Sequence, residues 1–249
     1  NNCRRDFKNN MKKYKWWLIG GAILLVGGLT TFFVIRSRNR GGSTGSNKSK
    51  LKNPNPKKIL LIGDSVTTIK NYANNKPITS TYGALTKKDL EQEGYEVDVL
   101  AKGGEATRWM LSNLPEQLKG KKYDRIYIYG GINDAWNNSI KPSEPFENIQ
   151  KMVDLGNENG ADVFVVLGYR IDNFMDYKKM ATTRYVPTQE GLIPLIQEYQ
   201  AFQKELPNKI NNASFLPVFD LNGQTNDGIH PSGKAPRQIA DIFIKSIKG

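Results

Sequence analysis

From Lys58 to the C-terminus, short apolar runs rich in Val, Ile and Tyr alternate five times with stretches of helical periodicity. The runs cover 59–62, 95–100, 123–129, 161–167 and 215–219. The helical stretches lie near 80–93, 107–119, 144–159, 188–206 and 235–247. The first run, Ile59-Leu60-Leu61-Ile62, is apolar at every position, as a strand covered on both faces must be. Such alternation leaves few folds open, because each strand–helix–strand unit makes a right-handed crossover between parallel strands. The pattern predicts a three-layer, flavodoxin-like α/β domain on a five-stranded parallel sheet, spanning residues 58–249.

In open parallel sheets, ligands bind beyond the carboxyl ends of the strands. Gly63-Asp64-Ser65 follows the first run, Lys102-Gly103-Gly104 the second, and Gly131-Ile132-Asn133-Asp134 the third. Asp227-Gly228-Ile229-His230 follows the fifth. Four stretches scattered over more than 160 residues are thus expected on one edge of one sheet. Together they supply a serine, backbone donors, an asparagine amide, an aspartate and the only histidine in the chain, which is the parts list for acyl transfer through a serine ester.

In that chemistry Ser65 is the nucleophile, set in a turn that Gly63 allows to bend sharply. His230 takes the serine proton and returns it to the leaving alcohol, while Asp227 holds the imidazole in one tautomer. The Ser65 N–H, Gly103 and the Asn133 amide form the oxyanion hole. Each block also has a plainer reading: Ser65 as a helix N-cap, Gly103-Gly104 as a simple turn, Asn133-Asp134 as a turn or cap. The blocks carry weight as a set.

That set resembles the SGNH (GDSL-type) hydrolases, a family of esterases, lipases, thioesterases and carbohydrate deacetylases. In that family GDS carries the nucleophile, a glycine and the asparagine of G-x-N-D form the oxyanion hole, and D-x-x-H carries the base. By motif the resemblance assigns Ser65, Gly103, Asn133, Asp227 and His230 to those roles. The second block departs from the common N-x-G, reading Ala101-Lys102-Gly103-Gly104. Both Gly103 and Gly104 therefore fit the donor position, and register favours Gly103. No metal or organic cofactor is implied.

Charge speaks against a nucleic-acid partner in spite of a formal net charge of +12. Residues 1–58 hold 14 Lys/Arg and one acid, Asp6, whereas residues 59–249 hold 22 Lys/Arg against 23 Asp/Glu. The basic character belongs to the N-terminal arm, and the folded part is close to neutral. Cys3, the only cysteine, lies in that arm, so neither an intramolecular disulfide nor a cysteine-based zinc site is available.

The arm contains WWLIGGAILLVGGLTTFFVI at 16–35, twenty residues without a charge. As a helix it rises about 30 Å, the thickness of a bilayer's hydrocarbon core. Trp16 and Trp17 stand at one end behind Lys12, Lys13 and Lys15, and Arg36, Arg38 and Arg40 follow the other. The expected organisation is a basic segment (1–15), a transmembrane helix (16–35), a flexible basic linker (36–57) and the catalytic domain (58–249). The linker's typical span is roughly 25 Å. The protein is expected to be a single-pass membrane protein whose partners are a lipid bilayer and an ester substrate, with its catalytic domain extracytoplasmic. The sequence leaves its oligomeric state open.

For substrate, Trp109 and Trp136 follow two of the blocks and are candidate platforms for sugar rings, or else pack on the sheet edge. Arg170 and Arg184 lie in an aromatic and basic stretch, 169–187, expected as a long loop after the fourth strand. The best-fitting activity is removal of O-acetyl or other short acyl groups from a cell-envelope or surface polysaccharide. The alternatives are an O-acyltransferase on the same glycan class and a non-catalytic glycan-binding or structural membrane (virion) protein.

Overall fold

A computed structural model describes residues 51–137, 140–170, 191–217, 219–220, 225 and 229–249. The expected membrane helix, basic segment and most of the linker lie outside these residues, as do Asp227 and Arg184. Among the described residues no helix is long and apolar enough to cross a membrane.

The central sheet consists of β1 (Lys58–Gly63), β2 (Glu96–Ala101), β3 (Arg125–Ile128), β4 (Asp162–Val166) and β6 (Ser214–Leu216). Their spatial order is β2-β1-β3-β4-β6, and every pairing is parallel. The helices are α1 (Tyr82–Gln92), α2 (Thr107–Leu118), the one-turn α3 (Ile132–Ala135), α4 (Glu144–Asn159), α5 (Leu192–Lys209) and α6 (Ala235–Lys248). The expected sheet is therefore present, with one difference. The run 215–219 is not a single strand: Pro217 has no N–H to give a ladder, and the chain divides there. Its second part, β7 (Phe219–Asp220), pairs instead with β5 (Tyr169–Arg170) in a separate two-stranded ribbon.

Alternation along β3 defines the three layers. Arg125 and Tyr127 point to α6, where Arg125 Nη1 donates to the Ser246 and Ile247 carbonyls at 2.6 and 2.9 Å and the Tyr127 ring packs at a tilt against Phe243. Ile126 points the other way, to Gly156 of α4. Helices α1 and α6 pack together on the first face, and α2 and α4 on the second. Between them Ile59, Leu60, Leu61 and Ile62 are completely buried, each contributing roughly 1.5–3 kcal/mol.

Local chemistry sets the helix ends. Thr81 caps α1, its Oγ1 accepting from the Ala84 N–H at 3.2 Å while donating to the Thr68 carbonyl at 2.7 Å. Pro145 sits in the first turn of α4, and Gly160 ends it in the left-handed region at φ +96°.

Candidate active site

The nucleophile turn forms where β1 runs out. Thr67 and Thr68 N–H groups both donate to the Asp64 carbonyl, at 3.1 and 3.0 Å, closing one helical turn around Ser65. Asp64 Oδ1 accepts the Val66 N–H at 3.1 Å and fixes the turn from inside. Gly63 is required for a different reason from the expected bend, since its φ is not positive. A Cβ there would lie 2.1 Å from Thr67 Oγ1, so no side chain fits.

Across 165 residues of sequence, His230 Nε2 lies 2.8 Å from Ser65 Oγ, and both residues are half-buried. The histidine's position is held from β5. The buried Tyr169 hydroxyl donates to the Ile229 carbonyl at 2.5 Å, one residue before His230. An antiparallel bridge between Thr225 and Pro231 spans the segment containing His230.

The second block lies against the first. The Lys102 N–H donates to the Gly63 carbonyl at 3.3 Å, and a Cβ built on Gly103 would fall 3.7 Å from Ser65 Cβ. Gly104 adopts φ +78° and points into open space. Of the two glycines, Gly103 is the one that faces the serine.

The third block begins with Gly131 at φ +111°, where a Cβ would meet Phe202 at 2.3 Å. Conformation and space both demand glycine. From α3, Asn133 Nδ2 donates to the Glu105 carbonyl at 3.0 Å. An amide nitrogen carries two protons, so this bond orients the group and leaves the second donor for another acceptor. The neighbouring Asp134 turns inward, accepting the Thr107 N–H at 3.0 Å and its Oγ1 proton at 2.5 Å. It thereby caps the start of α2. Burial raises the Asp134 pKa, and the Thr107 hydrogen bonds oppose the shift.

Asp64 is the second buried carboxyl. Burial pushes its pKa up to about 7, against the Val66 N–H and the nearby His230, with Asp134 adding to the rise. Among the described residues its Oδ2 has no hydrogen-bond partner.

The expected substrate contacts are placed unevenly. Trp136 is only 7% exposed and belongs to the hydrophobic core, so it offers no platform to a sugar. Its position one turn beyond Ile132 directs it inward with that residue. Trp109 is half-buried and close to Lys102, whose Nζ lies 5.7 Å from its ring centroid. Arg170 is exposed at the end of β5.

Two residues of this edge escape sequence reasoning. Tyr169 positions the histidine segment, and its only signal is a tyrosine directly after Gly168 at the end of a strand. Tyr72, beside Lys102, lies on a loop with no motif. No cluster of three or more His, Cys, Asp or Glu able to hold a metal ion occurs among the described residues.

Residues 61–237 match the model of the GDSL-like lipase/acylhydrolase family. The fold is shared with a GDSL-like lipase from Bacteroides thetaiotaomicron at 18% identity and TM-score 0.53, covering 77% of this chain and 88% of that one. A catalytic mutant of Axe2, an acetylxylan esterase from Geobacillus stearothermophilus, is 16% identical with TM-score 0.55, covering 77% and 94%. The psychrotrophic esterase EstA from Pseudoalteromonas sp. is 17% identical with TM-score 0.52, covering 77% and 97%. At these identities the likeness is one of fold. No curated protein matches the chain in sequence.

Proposed function

The chain belongs to the GDSL-like lipase/acylhydrolase family, serine hydrolases acting on ester bonds, and we propose that it removes short acyl groups, acetyl above all, from the hydroxyls of a cell-envelope or surface polysaccharide. The observation that carries the reading is the 2.8 Å approach of Ser65 Oγ and His230 Nε2, made on the same edge as Gly103 and Asn133. The acetylxylan specificity of Axe2 supports a carbohydrate ester as substrate.

In the proposed mechanism Ser65 Oγ attacks the acyl carbon while its proton passes to His230 Nε2. Asp227 stabilises the resulting imidazolium. The negative oxygen of the tetrahedral intermediate accepts hydrogen bonds from the Ser65 and Gly103 N–H groups and from the free donor of Asn133 Nδ2. Collapse breaks the bond to the sugar oxygen, which leaves with the proton from His230. Water then attacks the acyl-serine and gives a proton to His230; collapse breaks the bond to Ser65 Oγ, which takes that proton from His230 as acetate is released. The N-terminal segment 16–35 would anchor this chemistry to a membrane, with the domain extracytoplasmic.

The test is hydrolysis of 4-nitrophenyl acetate by the full chain in detergent, beside Ser65→Ala and His230→Ala. The expected outcome is a fall of kcat by several powers of ten in each variant. Equal activity in all three proteins would remove Ser65 and His230 from their roles.

A further inference from the structure

The turn after the nucleophile runs into a loop that is more tightly built than a connection requires. Asn71 N–H donates to the Lys76 carbonyl at 2.8 Å, Ile78 N–H to the Ile69 carbonyl at 2.9 Å, and Lys70 bridges Pro77. Within it the side chains of Asn71 and Asn74 accept the N–H groups of Ala73 and Lys76, at 2.9 and 3.1 Å, and Asn75 takes a left-handed φ of +56°. This small scaffold holds up Tyr72, which at 45% exposure is the most exposed large hydrophobic side chain among the described residues.

Tyr72 does not stand alone. Lys102 Nζ lies 5.6 Å from its ring centroid and 5.7 Å from that of Trp109, so one ammonium links the two rings. Glu105 anchors that ammonium at 2.6 Å, and Lys70 Nζ lies 4.8 Å from the Tyr72 ring. Lys102 is also the residue before Gly103, which faces Ser65. The Tyr72–Lys102–Trp109 row therefore lies beside the esterase site, joined to it through Lys102 at its centre.

We propose that this row is a glycan subsite, in which Tyr72, with Trp109, stacks on a pyranose ring adjacent in the chain to the one that carries the ester. Aromatic faces are electronegative, and the axial C–H groups of a sugar ring are complementary to them. The cations Lys70 and Lys102 held beside the rings suit hydroxyls and glycan carboxylates. The inference rests on the carbohydrate-ester reading above and names how the polymer, as distinct from the acyl group, is recognised.

The experiment is calorimetric titration of the full chain in detergent with unacetylated xylotetraose and with tetra-N-acetylchitotetraose, for the parent, Tyr72→Ala and Tyr72→Trp. Binding needs no turnover, so the result is independent of whether Ser65 acts. The expected result is binding of at least one tetrasaccharide, weakened roughly tenfold in Tyr72→Ala and retained in Tyr72→Trp. On the acetylated form of the bound sugar, KM rises by a similar factor in Tyr72→Ala while kcat stays within about twofold. Parallel assays with 4-nitrophenyl acetate report separately on the esterase reading. Failure of the parent to bind either tetrasaccharide, or equal affinity in the parent and Tyr72→Ala, overturns the subsite even when ester hydrolysis is robust.

Discussion

Asp64 is 1% exposed, stands next to the serine, and has one carboxylate oxygen without a partner among the described residues. Its other oxygen holds the Val66 N–H, so the side chain is needed for the shape of the turn, whereas its charge is a burden there. The consequence is a pH dependence of known sign. Between about pH 4, where the unfolded carboxyl has lost its proton, and about pH 7, where the folded one does, the native state binds the extra proton. Stability therefore falls as pH rises through that window, by up to ~1.4 kcal/mol per pH unit, and levels off above it. Asp64→Asn keeps an acceptor for Val66 and removes the charge. Its melting temperature should match the parent's near pH 4 and exceed it at pH 8, flattening the curve between. Parallel melting curves for the two proteins would show that Asp64 is not the titrating group.

At the scale of elements, the short ribbon β5–β7 matters more than its length indicates. Tyr169 reaches from β5 to the Ile229 carbonyl, and so ties the histidine segment to the end of the strand layer. Tyr169→Phe removes that hydrogen bond, a loss of roughly 0.5–1.5 kcal/mol. Acting through the position of His230, the change should lower kcat about tenfold while moving KM less than twofold, and should leave the affinity for a product glycan intact. A rise in KM alone would mean that Tyr169 serves substrate binding instead. None of this was legible in the chain, because the contact joins residues 60 apart with no motif at either end. The five-stranded parallel sheet was legible, since burial on both faces writes itself into unbroken apolar runs such as 59–62. So was the edge that gathers Ser65, Gly103, Asn133 and His230, because strand ends in a parallel sheet share one side. What sequence spacing lacked was direction. It left Trp136 open between a sugar platform and packing on the sheet edge when it is core, ran β6 through Pro217, and gave no partner for Arg125. The lone cation of an apolar strand, Arg125 is buried, and its Nη1 donates to the Ser246 and Ile247 carbonyls near the end of α6.

For the whole molecule, charge and hydropathy make separable predictions about the membrane. The arm, residues 1–58, carries nearly all the excess positive charge, and the folded part is within one unit of neutral. Attraction of the arm to anionic lipid is worth about 1 kcal/mol per Lys or Arg near the surface, and at about 1 M salt the screening length shrinks to about 3 Å. An arm held by charge alone would therefore wash off. A membrane span formed by the twenty uncharged residues at 16–35 would instead be held by the hydrophobic effect, which such salt does not weaken. Membranes from cells making the full chain should retain it through washes in about 1 M NaCl and in alkaline carbonate, and release it only to detergent. Release by salt would reduce the arm to a peripheral electrostatic contact. The distinction bears directly on catalysis. A spanning anchor followed by the Gly/Ser/Asn/Lys segment 36–57 would tether the folded part through a linker whose typical span is roughly 25 Å. Under the proposed anchoring, polymer near the bilayer would meet the site at the high effective concentration a tether provides, which would favour envelope glycan over soluble ester.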